Sequence, residues 1–340
     1  MRIAHVMAGA AEGGAELFYE RLSAAQHQAG DAVLAAIRSN ARRAARLRQA
    51  GLDPLQLRFG GSLDLLTGPR LRRALRRFAP RVAVAWMNRA ARLTPIGDWV
   101  LAGRLGGFYD LSYYRRCDHL IGNTLGIVEW MRAQGWPAAR VHHLPNFSAD
   151  HGDAPRIRPD WLPAGAKLVL ALGRLHRNKA FDVLIRAMRE VPDAVLLIAG
   201  EGPERGALEE LARREGVASR VRMPGWREDS GALLAAADLL VCPSRHEPLG
   251  NVIIEAFSAR LPVLAAASQG PAELITSGAN GILAPLEDAP ALAAAIVSVL
   301  RDAALARRLG EAGRACYEAE FAAAPVLARW HAVLSVVEKA

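Results

Sequence analysis

Short runs of aliphatic and β-branched residues alternate along the chain with longer Ala-, Leu- and Arg-rich stretches whose apolar positions recur at helical spacing. This alternation predicts βα units feeding parallel sheets, because a strand buried on both faces is apolar throughout, whereas its covering helix needs one apolar stripe. Strands are expected at 3–7, 32–37, 82–86, 119–122 and 141–144, and again at 168–172, 195–199, 221–223, 239–242 and 263–266. Between the two sets, Gly152, Pro155, Pro159, Pro163 and Gly165 interrupt any periodicity and predict a linker at 151–165. A length of 340 residues exceeds what one core usually spans. The fold class expected is α/β, with two Rossmann-like doubly wound domains, 1–150 and 166–322, facing a central cleft.

Composition narrows the function classes. With 51% hydrophobic and 23% charged residues the chain should fold throughout. Cys117, Cys242 and Cys316 lie far apart with no CxxC or Cys/His spacing, so neither a disulfide framework nor a zinc site is indicated, and a cytoplasmic setting is expected. No uncharged apolar run reaches membrane-spanning length, and the first residues read as a strand rather than a signal peptide. The net charge of +9 suits an anionic substrate, a membrane surface or nucleic acid. Arg70, Arg72, Arg73, Arg76, Arg77 and Arg81 alternate with Leu71, Ala74, Leu75 and Phe78 as in a basic amphipathic helix. A second basic stretch holds Arg38, Arg42, Arg43, Arg46 and Arg48. Both fit an anionic membrane surface, on the inner face of the cell membrane, or simply solvated helix faces. No nucleic-acid-binding module is present, and no nucleic-acid partner is expected.

Candidate chemistry lies in the loops after the expected strands. The first, from Ala8 through Glu12 to Glu16, contains Gly13 and Gly14 at a strand-to-helix turn where backbone N–H groups can approach a phosphate. Its spacing is not GxGxxG, so a nicotinamide cofactor is not indicated. After 168–172 come Arg174 and Lys179, a forked and a compact cation beside a tight turn, suited to a diphosphate unless Asp182 or Glu190 pairs with them structurally. Glu201, in a Gly-Glu-Gly-Pro turn, and Pro224 with Gly225 open from the next strands, the latter toward a nucleobase edge.

The most specific pattern is Glu247 and Glu255, eight positions apart and separated by Leu249, Gly250 and Asn251 at a helix start. One carboxylate can hold sugar hydroxyls and the other a ribose diol, with phosphate bridging at the helix N-terminus. Alternatively Glu247 is a helix-start acid, and Arg245 or Arg260 is the structural partner of Glu255.

With these residues the sequence resembles the group-1 family of retaining glycosyltransferases, the glycogen-synthase-like and phosphatidylinositol-mannosyltransferase-like enzymes of GT-B fold. The match covers most of the chain and is strongest from 168 to 285. The resemblance implies that Glu247 and Glu255 form the family's Glu-x7-Glu motif, that Arg174 and Lys179 are its diphosphate cations, and that Gly13 and Gly14 are its glycine loop. It further implies donor contacts at Leu249, Gly250 and Asn251, and a Gly-Pro-x-Glu turn at Gly270, Pro271 and Glu273. A terminal segment, 323–340, would cross back to the N-terminal domain. The donor would be a nucleotide-sugar, UDP-linked in preference to GDP-linked, and the acceptor a glycan, a lipid-linked saccharide or a small molecule. No cofactor is expected, and no metal, since there is no Asp-x-Asp motif. Where relatives carry a His in the first domain this chain reads Arg104 to Tyr109, and the role is not carried onto His119. Asn88 and Arg104 are the acceptor-side candidates. The alternatives are a nucleotide-sugar epimerase and a non-catalytic nucleotide-sugar-binding protein.

Overall fold

The computed structural model describes residues 1–11, 13–60, 64–227, 229–337 and 339, so Glu12 of the glycine-rich loop lies outside the described residues. The chain divides into two compact units, Met1–Asn146 with Val326–Ala340, and Phe147–Pro325.

The first unit holds a seven-stranded sheet of β1 (Arg2–Met7), β2 (Ala32–Arg38), β3 (Leu55–Leu57), β4 (Val82–Trp86), β5 (Val100–Leu105), β6 (His119–Gly122) and β7 (Val141–His143). Their spatial order is β3-β2-β1-β4-β5-β6-β7, and every pairing is parallel. The second unit holds β8 (Lys167–Leu172), β9 (Ala194–Ala199), β10 (Val221–Gly225), β11 (Leu239–Cys242), β12 (Val263–Ala266) and β13 (Ile282–Ala284), ordered β10-β9-β8-β11-β12-β13 and again wholly parallel. In each sheet the winding reverses once, between β1 and β4 and between β8 and β11. Loops at such a reversal splay apart and leave a crevice at the C-terminal ends of the strands, which is where ligands of open α/β sheets bind.

All ten expected strands are present, and three more join them. The three-residue β3 and β13 are too short to show a period. Strand β5 was hidden by Gly103 and Arg104, which look like loop residues. Gly103 is there because a Cβ would come within 2.5 Å of the buried Tyr114 ring. Residues 151–165, expected as a linker, belong to the second unit, where Arg156 and Arg158 grip Asp238 at 2.7 and 2.8 Å.

The basic segments differ from each other. Helix Thr67–Phe78 buries Leu71 and Leu75 and leaves Arg70, Arg72, Arg73, Arg76 and Arg77 exposed. In the second stretch Arg43 is buried and bonded to Glu20 at 3.0 Å, Arg46 shares that carboxylate, and Arg48 meets Asp53. The expectation of a second cationic face is therefore corrected: its central charges are internally neutralised. Among the described residues no single helix is long and apolar enough to cross a membrane.

Helix Ala323–Val336 joins the first unit from Val326 onward. Its fully buried Trp330 stands edge-on to His5, ring centroids 6.2 Å apart. His331 Nε2 lies 2.6 Å from Asp31 Oδ2, and Arg81 Nε donates to the Leu334 carbonyl. His5 in turn accepts from the Trp86 indole N–H at Nδ1 (3.1 Å) and faces Gln26 Oε1 through Nε2 (2.6 Å), the pattern of a neutral ring protonated at Nε2.

Candidate functional site

In the second unit the crevice is built by the loops after β8 and β11, with those after β9 and β10 alongside. The β8 loop turns at Gly173, whose φ of +146° suits glycine. It then lies backbone-to-backbone on the β9 loop: Gly173 N–H donates to Ala199 O at 3.2 Å and Leu175 N–H to Glu201 O at 2.9 Å. A Cβ on Gly200 would come 1.8 Å from the Gly173 carbonyl oxygen, so no other residue fits that crossing. The His176 ring accepts from Asn178 N–H, and the short turn Arg177–Lys179 delivers Lys179 to the crevice.

There Lys179 Nζ pairs with Glu247, whose Oε2 also accepts from the Ser244 hydroxyl at 3.3 Å. Burial opposes the charge on Lys179, but Glu247 and the nearby Cys242 outweigh it and hold the ammonium above the usual lysine range. Register between the two loops is set by Arg245. Its Nη1 donates to Arg177 O, Nη1 and Nη2 take the two oxygens of Asp182, and Nε and Nη2 take those of Glu287. His246 N–H adds a bond to Asn178 O at 3.3 Å. The structural alternative weighed for the cations does not hold for Asp182, which serves Arg245 and Arg186, not Lys179 or Arg174. Arg174 is exposed and has no ion-pair partner among the described residues.

Helix Asn251–Ser258 starts at Gly250, which takes a φ of +95°. Gly270 N–H donates to Glu247 O at 2.9 Å, and a Cβ on Gly270 would meet Leu249 O at 2.4 Å, so the Gly270-Pro271 turn is seated on the Glu247–Leu249 turn. Leu249 is buried; Asn251 and Glu255 are half-buried on the helix, with the first helical N–H groups beside them. Glu201 pairs with Arg205 at 2.8 Å, and its carboxylate lies over Gly225, where a Cβ would come within 2.6 Å of it, so the structure brings Glu201 and Gly225 together. Pro224 is exposed next to them. A separate hollow of about 500 Å³ beside Trp161, Pro192 and Arg222 lies at the opposite, N-terminal ends of β8 to β10.

In the first unit a cavity of about 410 Å³ opens beyond β1, β2 and β4, at the reversal of the sheet. Gly9, Arg38, Trp86, Asn88, Arg89 and Tyr109 are among its lining. Met87, also in the wall, holds a left-handed φ of 64°, a conformation that costs a side-chain-bearing residue of order 1–3 kcal/mol and clusters at ligand sites. Asn88, an expected acceptor residue, is therefore at a cavity. Arg104 is not: it lies in β5, 2% exposed, its guanidinium 4.5 Å from the Trp86 ring centroid and 4.9 Å from that of Phe18, with Nη2 donating to Asn146 Oδ1 at 2.6 Å. Burial lowers its pKa, and the aromatic faces offset part of that cost. Its acceptor assignment is thus corrected to a structural one. His119 is buried against His142, Nδ1 to Nε2 3.0 Å, and is not part of the cavity wall.

Gly13 and Gly14 stand where expected, at the N-cap and first position of helix Gly14–Gln28. Ala10 N–H donates to Glu16 Oε1 at 2.7 Å, and a Cβ on Gly9 or Gly13 would come within 2.1 or 2.4 Å of the Glu16 carboxylate. The loop thus holds an anion of its own, the Glu16 carboxylate, beside Gly9 and Gly13. Arg43 and Asn40 complete it by donating to the carbonyls of Ala10 and Ala11. Glu16, Arg43, Arg245 and Tyr109 were missed as site-builders. Glu16 alone had a readable signal, an acid three residues into a helix that begins after Gly13.

Residues 153–315 match the family described as Glycosyl transferases group 1. The chain is 35% identical over 333 residues to the lipopolysaccharide core biosynthesis glycosyltransferase LpsE of Rhizobium meliloti, covering 94% of this chain and 95% of the relative. It is 35% identical over 318 residues to LpsD of the same organism, covering 92% of each. The structure superposes on HepE of Anabaena, solved with UDP and glucose, with a TM-score of 0.85 at 21% identity, over 99% of this chain and 100% of that one. That likeness shows the fold, the GT-B pairing of two parallel α/β domains.

Proposed function

The chain belongs to the group 1 glycosyl transferases and is a glycosyltransferase acting on a nucleotide-sugar and a glycan acceptor; we propose that it does so with retention of configuration and without a metal ion. The observation that carries this reading is the meeting of Lys179 and Glu247 at the reversal of the second sheet. In the proposed complex Arg174 and Lys179 neutralise the donor diphosphate. At an effective dielectric near 20 each such contact at about 4 Å is worth roughly 4 kcal/mol before desolvation, enough to stand in for a divalent cation as charge builds on the leaving group. The N–H groups of Gly250 and Asn251 meet the same phosphates, and Glu255 holds the ribose diol. Leu249, Glu201, Pro224 and Gly225 line the donor side.

Glu247, already engaged by Lys179 and Ser244, positions sugar hydroxyls and does not attack the anomeric carbon. The acceptor hydroxyl then approaches from the face that the diphosphate leaves, and the departing phosphate oxygen takes its proton. HepE, solved with UDP and glucose, supports a UDP-linked donor. The names of the two relatives support an acceptor from a lipopolysaccharide core, a glycan carried on lipid. The exposed arginines of helix Thr67–Phe78 support a cytoplasmic protein resting on anionic lipid at the inner face of the membrane.

The test is a thermal-shift and turnover screen against UDP- and GDP-sugars on the wild type and Glu255→Ala, with and without EDTA. Stabilisation by one donor and EDTA-resistant release of nucleotide, both lost in the variant, are expected. Loss of activity in EDTA would overturn the metal-independent reading, and unimpaired binding by Glu255→Ala would overturn the site.

A further inference from the structure

The wall of the cavity beyond β1, β2 and β4 has a one-sided polarity. Among the described residues of this wall the charged side chains are Arg38 and Arg89, with no carboxylate; Glu16 lies behind Gly9, its carboxylate engaged by Ala10 N–H. The Asn88 side-chain oxygen accepts from the Tyr114 hydroxyl at 2.9 Å, which leaves the amide hydrogens to serve a ligand. Tyr109 is held protonated, since burial and the nearby Glu16 raise its pKa, so it too can donate. The backbone of Ala10 is spent on both sides, its N–H on Glu16 and its carbonyl on Arg43. Arg38 has no ion-pair partner among the described residues, and Arg89 makes only a long 3.5 Å contact with the Phe59 carbonyl.

A neutral sugar presents hydroxyls that donate as well as accept, so its sites mix carboxylates or carbonyls with donors. A wall that offers donors and cations suits a group that only accepts. We propose that this cavity binds an acceptor carrying an anionic substituent, a phosphate or a carboxylate, on or beside the sugar that receives the transfer, with Arg38 and Arg89 gripping the anion and Asn88 the neighbouring ring. The inference rests on the assignment of the first unit to the acceptor.

The test is a binding titration of the full chain, saturated with UDP, against glucose 6-phosphate, glucuronate and methyl glucoside at millimolar concentrations, followed by saturation-transfer NMR. At least tenfold tighter binding of an anionic sugar than of methyl glucoside is expected. The phosphate and carboxylate arms say which anion is preferred. Arg38→Gln and Arg89→Gln should each weaken that binding about tenfold, and Arg72→Gln with Arg76→Gln, on the exposed basic helix, should leave it unchanged. Equal binding of methyl glucoside, no binding of either anion, or an equal loss in the Arg72/Arg76 variant would overturn the proposal. UDP affinity is measured in every variant. A wild type that fails to bind UDP sinks the donor assignment, whereas unchanged UDP binding with no anion preference sinks only the inference.

Discussion

Arg245 and Asp182 meet as a bidentate pair, Nη1 to Oδ1 and Nη2 to Oδ2 both 2.8 Å. One end of this clamp is two residues before Glu247 and the other three residues after Lys179, so the pair fixes the two proposed donor-binding loops against each other. Lysine cannot reproduce a planar five-donor fork. Arg245→Lys is therefore expected to lower kcat/KM about 10- to 100-fold while the melting temperature falls by only a few degrees, and Asp182→Asn should do the same. In the double variant the losses should be far from additive, because both changes break one clamp. Additive losses, or a kcat/KM unchanged in both single variants, would show that the clamp plays no part in positioning.

Lys179 tests the charge argument directly. Lys179→Met leaves Glu247 without its cation and removes a positive charge from the proposed diphosphate site. Turnover should fall by about 10²–10³, and Lys179→Arg should recover part of it. Full activity in Lys179→Met, measured as nucleotide release, would mean that the leaving group is neutralised elsewhere.

Acid should destabilise the chain through its buried histidines. Burial pushes His5 down to about 4 from 6.5; the hydrogen bond to Gln26 is the next largest effect and opposes it, while the Arg104 charge adds to the lowering and Asp31 opposes it. Burial and His119 lower His142 to about 4 as well. Between those values the unfolded chain takes up protons that the folded chain refuses, so this stability is complete above pH 6.5 and is lost as pH falls toward 4. Each site contributes a slope of at most about 1.4 kcal/mol per pH unit. In urea titrations His5→Asn should begin less stable than wild type at pH 7, and the gap should narrow by pH 5. A gap that stays constant would rule out His5 as a source of the acid sensitivity.

Truncation after Pro325 removes the buried Val326, Trp330 and Leu334 and the His331 contact with Asp31. At about 1.5–3 kcal/mol per buried apolar side chain the loss reaches much of a domain's usual 5–15 kcal/mol. The truncated chain is expected to lose the cooperative unfolding of its first unit and its transferase activity together. A sharp, unshifted melt would contradict the role of this helix.

Most of the fold was legible because parallel strands buried on both faces are near-continuous apolar runs, as at Ile3 to Met7 and Leu168 to Leu172. Strand β5 was illegible because its constraints are tertiary: Gly103 makes room for Tyr114, and Arg104 is a cation tolerated in the interior only because Trp86, Phe18 and Asn146 surround it. In the proposed donor loops, Lys179 and Glu247 were each legible from residue type and position after a strand, but that they pair with each other followed only from the structure. The Arg245 clamp was not legible, since its partners Asp182 and Glu287 lie 63 and 42 positions away and nothing local marks them. In the glycine loop the sequence showed glycines beside a helix start, which suit any anion, but not that Glu16 folds back to accept from Ala10 N–H.

The first unit is assembled from both ends of the chain, while the second is one continuous stretch. During synthesis the sheet of β1 to β7 leaves the ribosome first, yet the socket for Trp330 stays empty until the second unit has been made. At 5–20 residues per second that wait lasts roughly ten to forty seconds. The later-made unit can therefore finish folding before the earlier one, and nascent chains paused before Val326 should present the His5 and Trp86 side of the first unit to chaperones.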